Sequence, residues 1–232
     1  MTLQLRKSLG ATKIGVPAIV GLMAVGLYCA RASATGAVPL PSPAVDVARA
    51  AKPGQETVVF AGGCFWGVQA VFQHVKGVVN ATSGYSGGAS DTAKYRMVST
   101  GNTGHAESVK VTFDPAQVSY GQLLKVFFSV AHDPTELNHQ GADEGTQYRS
   151  VVFFSDPNQK RVAEAYVAQL DRARVFHDPI VTQIVPLKAF YPAEDYHQNY
   201  ATIHPDDPYI VFNDAPKVAH LRQLFPELFR GT

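Results

Sequence analysis

The stretch "ETVVFAGGCFWGVQAVFQHV", residues 56–75, decides the architecture. Its first half, "ETVVFAGG", is a β-branched run ending in two glycines, which reads as a strand feeding a turn. Its second half, "FWGVQAVFQHV", sets apolar residues three and four apart, which reads as a helix. Cys64 stands at the junction. A sulfur there faces the positive end of the helix dipole and unpaired backbone N–H groups, an arrangement that lowers a thiol pKa and makes a nucleophile. The competing reading is a small buried hydrophobe, a common fate of free cysteine. Gly62 and Gly63 favour the first, because they leave the approach to sulfur sterically open. Phe65 and Trp66 are neighbours about 100° apart on a helix, so they do not share one core face and one of them lines a pocket. For Trp66, the single tryptophan of the chain, plain packing against the sheet is the alternative.

Working outward, "VVNATSGYSGG" reads as a second strand with a Gly-rich end, followed by a polar loop through Tyr95. "GHAESVKVTFDP" alternates: His105, Glu107, Val109, Val111 and Phe113 share one face, and Ala106, Ser108, Lys110 and Thr112 the other. Ser119 caps an amphipathic helix, "YGQLLKVFFSVAHD". "DPTELNHQGADEGTQYRS" has no hydrophobic period and reads as a long functional loop. "VVFFSD" is a buried strand, Asp156-Pro157 opens a helix, and "IVTQIVPL" is a further strand. The tail holds two short helical segments. Strands alternating with helices make this an α/β (α+β) two-layer sandwich, a mixed β-sheet with a ferredoxin-like core and packed helices.

Composition excludes several classes. A net charge of +1, a pI of about 7.8 and 46% hydrophobic residues describe neither a disordered chain nor a basic nucleic-acid binder. The first 34 residues read as a signal peptide: Arg6, Lys7 and Lys13 begin it, "IGVPAIVGLMAVGLYCA" is its apolar run, and Ala32-Ser33-Ala34 is a small-x-small cleavage site. The expectation is export, to a periplasm, with a membrane anchor through residues 14–30 as the alternative. Removing Arg6, Lys7, Lys13 and Arg31 leaves 16 basic residues against all 19 acidic ones. Residues 35–55, Pro- and Ala-rich without periodicity, read as a tether, and the folded unit begins near Glu56 and runs to 232. The second cysteine, Cys29, lies in the apolar run and leaves with it on cleavage. Tyr28 before it does not suit lipid attachment.

The eight histidines have no metal-ligand spacing, so no metal is expected. "SGYSGG" lacks the lysine and the strand–glycine–helix order of a phosphate-binding loop. Basic residues are scattered, so no nucleic-acid partner is expected. Glu107 shares its face with three apolar residues: either that face ends in water, or the carboxyl is desolvated, keeps its proton and acts as a general acid.

Together "GGCFWG" (62–67), "GYSGG" (84–88), "GHAE" (104–107), "GTQYRS" (145–150), "AEDYHQNY" (193–200), "NDAPKV" (213–218) and "LFPELFR" (224–230) resemble the type A peptide methionine sulfoxide reductases, in family order across 56–232. The resemblance implies a catalytic domain in which Cys64 attacks the sulfoxide sulfur of an oxidised methionine, in the S epimer. It implies Glu107 as the acid for the sulfoxide oxygen, Tyr95 and Tyr148 as hydroxyl donors to it, and Asp143 as an organiser of the site. Phe65, Trp66 and His197 would bind the substrate. The expected partners are methionine-sulfoxide-containing proteins or peptides and a thioredoxin-like reductant or other external thiol. The expected state is a monomer without bound cofactor.

The chemistry agrees, since sulfoxide oxygen leaves poorly unless protonated, and the product on Cys64 is a sulfenic acid. Many family members resolve that acid with later cysteines, but none follows Cys64 here, so a one-cysteine cycle with an external thiol is expected. Cys29 is within reach only if its segment stays attached, across on the order of 100 Å of extended chain. The chain also has "TAKY" where the family usually has Asn-Pro-Thr-Tyr, and "NHQGADEG" where it often has Arg-Gln-Gly-Asn-Asp. Two rival functions stand beside this: an acyl-transfer enzyme using Cys64 with a histidine, which leaves Glu107 idle, and an aromatic binding module, for which Cys64 is dispensable.

Overall fold

A computed structural model describes residues 1–2 and 37–231. The signal-peptide and Cys29 readings therefore lie outside the described residues. Among the described residues, no helix is long and apolar enough to cross a membrane.

The alternation read from residues 56–75 is present: β1 (Glu56–Ala61) runs through Gly62 and Gly63 into α1 (Phe65–Gln73). There follow β2 (Val78–Ser86), β3 (Ala106–Phe113), α2 (Tyr120–Val126), β4 (Val151–Phe154), α3 (Pro157–Ala173), β5 (Gln183–Pro186), β6 (Tyr191–Pro192) and α4 (Ala215–Leu224). The six-stranded sheet has the order β5-β4-β1-β3-β2-β6. Its inner four strands, β4-β1-β3-β2, are all antiparallel with α1 and α2 as crossovers, which is the ferredoxin-like arrangement. β5 pairs parallel to β4 after the α3 crossover, so the sheet is mixed.

The helices cover one face. Val58, Phe60, Val109, Val111, Phe113 and Val152 of the sheet pack there with Val68 and Phe72 of α1, Leu123 and Leu124 of α2, Val162, Tyr166 and Leu170 of α3 and Leu221 of α4. The opposite face, with Val59, Ala61, Ala106, Val151 and Phe153, is closed by Val185, Leu187 and Phe190. Local signals hold the helix starts. Ser119 and Gln122 form a reciprocal capping box, and Asp156 accepts from the N–H groups of Asn158 and Gln159 ahead of Pro157. The long polar loop contains a short hairpin, His139–Gln140 against Asp143–Glu144.

One boundary moves. Residues 37–46 are not a free tether but part of the folded unit. Leu40 is buried in the main core, Val38 N–H donates to Ser129 O at 3.0 Å, and Tyr166 Oη donates to Pro41 O at 2.8 Å. Asp46 accepts from Ser119 Oγ at 2.5 Å and from Gly121 N at 2.8 Å, so it adds a second partner to the start of α2. Proline and alanine carry no period, so composition reports a linker where a docked extended strap exists. Residues 51–55 remain exposed. Leu40→Ala is expected to lower stability by about 2 kcal/mol, the low end for a buried leucine, as read by urea unfolding; an unchanged midpoint would mean that the strap is a tether after all.

Candidate active site

The strand-to-helix turn sets the nucleophile. Cys64 is the N-cap residue of α1 with φ −54° and ψ 124°, and its side chain closes no capping hydrogen bond. It is 8% exposed and belongs to the main core. Gly63 has φ +83°, which excludes most other residues, and its N–H donates to Tyr148 O at 3.2 Å. Both glycines stand where neighbouring side chains come close. A Cβ on Gly62 would stand 2.8 Å from the His132 ring, and one on Gly63 would stand 2.8 Å from Gln140. They admit the close approach of neighbouring elements, and that approach fixes the turn.

Glu107 comes from the middle strand β3, on the helix-covered face, and is 3% exposed. Its Oε2 accepts the N–H of Phe65, the residue after Cys64, at 3.0 Å. Burial pushes the carboxyl up to about 8; the Phe65 N–H opposes this, and the negative charges of Asp143 and Asp214 add to it. Of the two sequence readings of Glu107, the desolvated carboxyl is the one observed.

The thiol expectation reverses. Burial first, then the charges of Glu107 and Asp214, hold Cys64 well above the ordinary thiol value; the Trp66 N–H and Lys217 pull it back only in part. A helix start favours the thiolate, but desolvation in a nearly dry, acid-lined site outweighs it. At rest the site therefore holds two protons, one on sulfur and one on the carboxyl.

Tyr95 and Tyr148 both face this pair: burial raises each hydroxyl, with Glu107 as the next cause and Cys64 also felt. Tyr95 opens the short helix Tyr95–Val98, and its N–H donates to Glu194 Oε1 at 2.9 Å. Glu194 Oε2 also takes the Tyr85 hydroxyl at 2.9 Å, and Tyr85 stands opposite Glu107 in the β2–β3 ladder. "TAKY" thus positions Tyr95 through a carboxylate that sequence reading did not single out. Asp143, on the hairpin, accepts from the Tyr209 hydroxyl.

Phe65 is fully buried against Tyr85 and His197, with ring centroids 5.8 and 5.0 Å away. Trp66 is the partly exposed member of the pair. Its Nε1 donates to His197 Nδ1 at 3.2 Å, its face stacks on Tyr200 at 3.8 Å, and Tyr209 meets its edge at 5.8 Å. His197 also lies 4.4 Å from the Tyr95 ring. The segment carrying it is pinned to β2, where Gln198 exchanges hydrogen bonds with the Ser83 backbone. All eight sequence-selected residues therefore converge on the C-terminal end of β1 and the start of α1. Sequence reading missed Tyr85, Glu194, Tyr200, Tyr209, Asp214 and Lys217, although Tyr85, Glu194, Tyr200, Asp214 and Lys217 all lie within quoted motifs. Among the described residues, no cluster of three metal-ligating side chains forms.

Comparison with known proteins agrees with the geometry. The family model described as "Peptide methionine sulfoxide reductase" matches residues 56–228. The chain is 63% identical to peptide methionine sulfoxide reductase MsrA 2 of Mesorhizobium japonicum over 77% of this chain and 92% of that one. It is 50% identical to MsrA 2 of Synechocystis, over 83% and 91%. Among solved structures, methionine sulfoxide reductase A of Corynebacterium diphtheriae is 35% identical with a TM-score of 0.57, covering 76% of this chain and 90% of that one. Mxr1 of Saccharomyces cerevisiae in reduced form is 30% identical with a TM-score of 0.61, covering 66% and 87%. A buried acid tied to the turn that carries Cys64, in a chain so matched, identifies it as a member of the type A peptide methionine sulfoxide reductase family.

Proposed function

We propose that this protein reduces methionine-S-sulfoxide, free or in proteins, to methionine and so repairs oxidised proteins. The observation that carries the reading is the Glu107 carboxyl, buried at 3% exposure and bonded to the N–H beside Cys64, where burial pushes it up to about 8. An acid is what the sulfoxide oxygen needs before its bond to sulfur breaks. Cys64 Sγ attacks the substrate sulfur while Glu107 gives its proton to the oxygen and recovers one from the thiol. Oxygen ends on Cys64 as a sulfenic acid, methionine departs, and the two electrons that the substrate sulfur gains are those that Cys64 loses. Tyr95 and Tyr148 donate to the oxygen, Asp143 orders the hairpin through Tyr209, and Phe65, Trp66 and His197 form the apolar wall for the S-methyl group.

Regeneration falls to an external thiol or a thioredoxin-like protein, because no cysteine follows Cys64. The charged start, apolar run and small-x-small site of residues 1–34 support export to a periplasm. Both the acyl-transfer and the binding-module alternatives leave the buried acid beside Cys64 without a purpose.

In an assay with N-acetyl methionine sulfoxide amide and dithiothreitol, one epimer should disappear. Cys64→Ser should abolish the loss, and Glu107→Gln should slow it on the order of a hundredfold; full activity in either variant contradicts the assignment. After one turnover without reductant, mass spectrometry should find one added oxygen on Cys64, whereas a Cys29–Cys64 bridge would overturn the one-cysteine cycle. Stability gives an independent check. With Glu107 raised from 4.5 to about 8, the folded state binds a proton that the unfolded state has lost between those values. Its stabilising effect is complete below pH 4.5 and is lost as pH rises to about 8. The stability advantage of Glu107→Gln over the parent should therefore grow across that window and level off above it; an advantage that does not vary with pH would contradict the buried neutral acid.

A further inference from the structure

The "NDAPKV" stretch holds a charge pair that the reaction above leaves unused. Asp214 is fully buried, at the point where a π-helical turn, Ile210–Asp214, runs directly into α4, so its carboxylate has no helix end to cap. Its Oδ1 instead takes Lys217 Nζ at 3.1 Å, and Oδ2 has no hydrogen-bond partner. The pair lies over Gly67 of α1, where a Cβ would stand 2.0 Å from Asp214 Oδ1 and 2.9 Å from Lys217 Nζ. Glycine inside a helix costs about 1 kcal/mol relative to alanine, and α1 carries one where the pair needs the room. Gly67 is the third residue of α1, whose N-cap is Cys64, so the pair packs on the first turn of the helix that presents the sulfur.

We propose that Asp214 and Lys217 are positioning residues that set the charge of the Cys64 sulfur with opposite signs: the buried carboxylate keeps it protonated at rest, and the ammonium supports it as a thiolate. Both charges reach the sulfur. Behind burial and Glu107, Asp214 pushes the Cys64 thiol up and Lys217 pulls it down. The other titratable groups acting on the sulfur or feeling its charge are Glu107 from β3, Tyr95 from its short helix, Tyr148 from the turn before β4 and Tyr209 ahead of α4.

The thiolate counts at the end of the cycle. One external thiolate attacks the sulfenic sulfur: an S–S bond forms, the S–O bond breaks and hydroxide leaves, protonated to water. A second attacks the reductant's sulfur in that mixed disulfide, and Cys64 leaves with the bonding pair. Cys64 gains two electrons and the two external thiols lose them. A leaving thiol of lower pKa leaves faster, so Lys217 favours this step.

The inference rests on Cys64 being the reacting sulfur. Its test is the iodoacetamide alkylation rate of Cys64 against pH in the full chain, followed on the Cys64 peptide, for the parent, Asp214→Asn, Lys217→Met and Lys217→Arg. The midpoint should fall in Asp214→Asn, rise in Lys217→Met and stay with the parent in Lys217→Arg. A shift of about one pH unit is a tenfold change in alkylation below the midpoint. The plateau at high pH, which reads access, should not move. If Asp214→Asn does not fold, the two Lys217 variants carry the test. A parent-like midpoint in folded Lys217→Met, or shifts of one sign in both Asp214→Asn and Lys217→Met, overturns the inference. Alkylation reads the sulfur whether or not sulfoxide is reduced, so this failure is distinct from a failure of the Cys64→Ser assay.

Discussion

The hydrogen bond from the Phe65 N–H to the Glu107 carboxyl joins the two halves of the site, and little of the arrangement would survive its loss. Glu107 belongs to the rigid middle of the sheet, and Phe65 is the first residue of α1. The bond therefore ties the helix start, with Cys64 on it, to a fixed strand. It also occupies one carboxyl oxygen and leaves the other free to carry the proton. Desolvation then does the chemical work, because the helix layer over this face excludes water from a group that prefers to be ionised in it.

The same burial also keeps the sulfur protonated. A helix start is usually read as a device for making thiolates, but here burial, and behind it the negative charge of Glu107 and Asp214, opposes ionisation of Cys64. The reactive pair is a thiol beside a carboxylic acid, so proton transfer accompanies attack rather than preceding it. The aromatic cluster of Phe65, Trp66, Tyr95, His197 and Tyr200 adds the apolar surroundings that keep both groups neutral.

Much of this was legible in the residues. The β-branched run before Gly62, the alternation from 105 to 113, the Ser119 and Asp156 caps and the helical spacing after Cys64 are local signals, and local signals survive in the fold. Glu107 was legible as an acid on an apolar face, with its burial left open. Three things were not. The direction of the thiol shift depends on burial and, behind it, on carboxylates brought from positions 107 and 214, which no local pattern reports. Gly62, Gly63 and Gly67 mark close approaches by His132, Gln140 and the Asp214–Lys217 pair, and spacing alone does not name what fills a missing Cβ. The 37–46 strap has no period because it docks extended, side chain by side chain, through Leu40 and Asp46.

The most direct measurement of the central claim is a pH titration of the Glu107 carboxyl itself, by carbon NMR of the protein labelled at glutamate side chains, with Glu107→Gln to assign the signal. The account predicts a carboxyl that stays protonated through pH 7 and titrates at about 8. A signal that titrates near 4.5, the ordinary value, would contradict it.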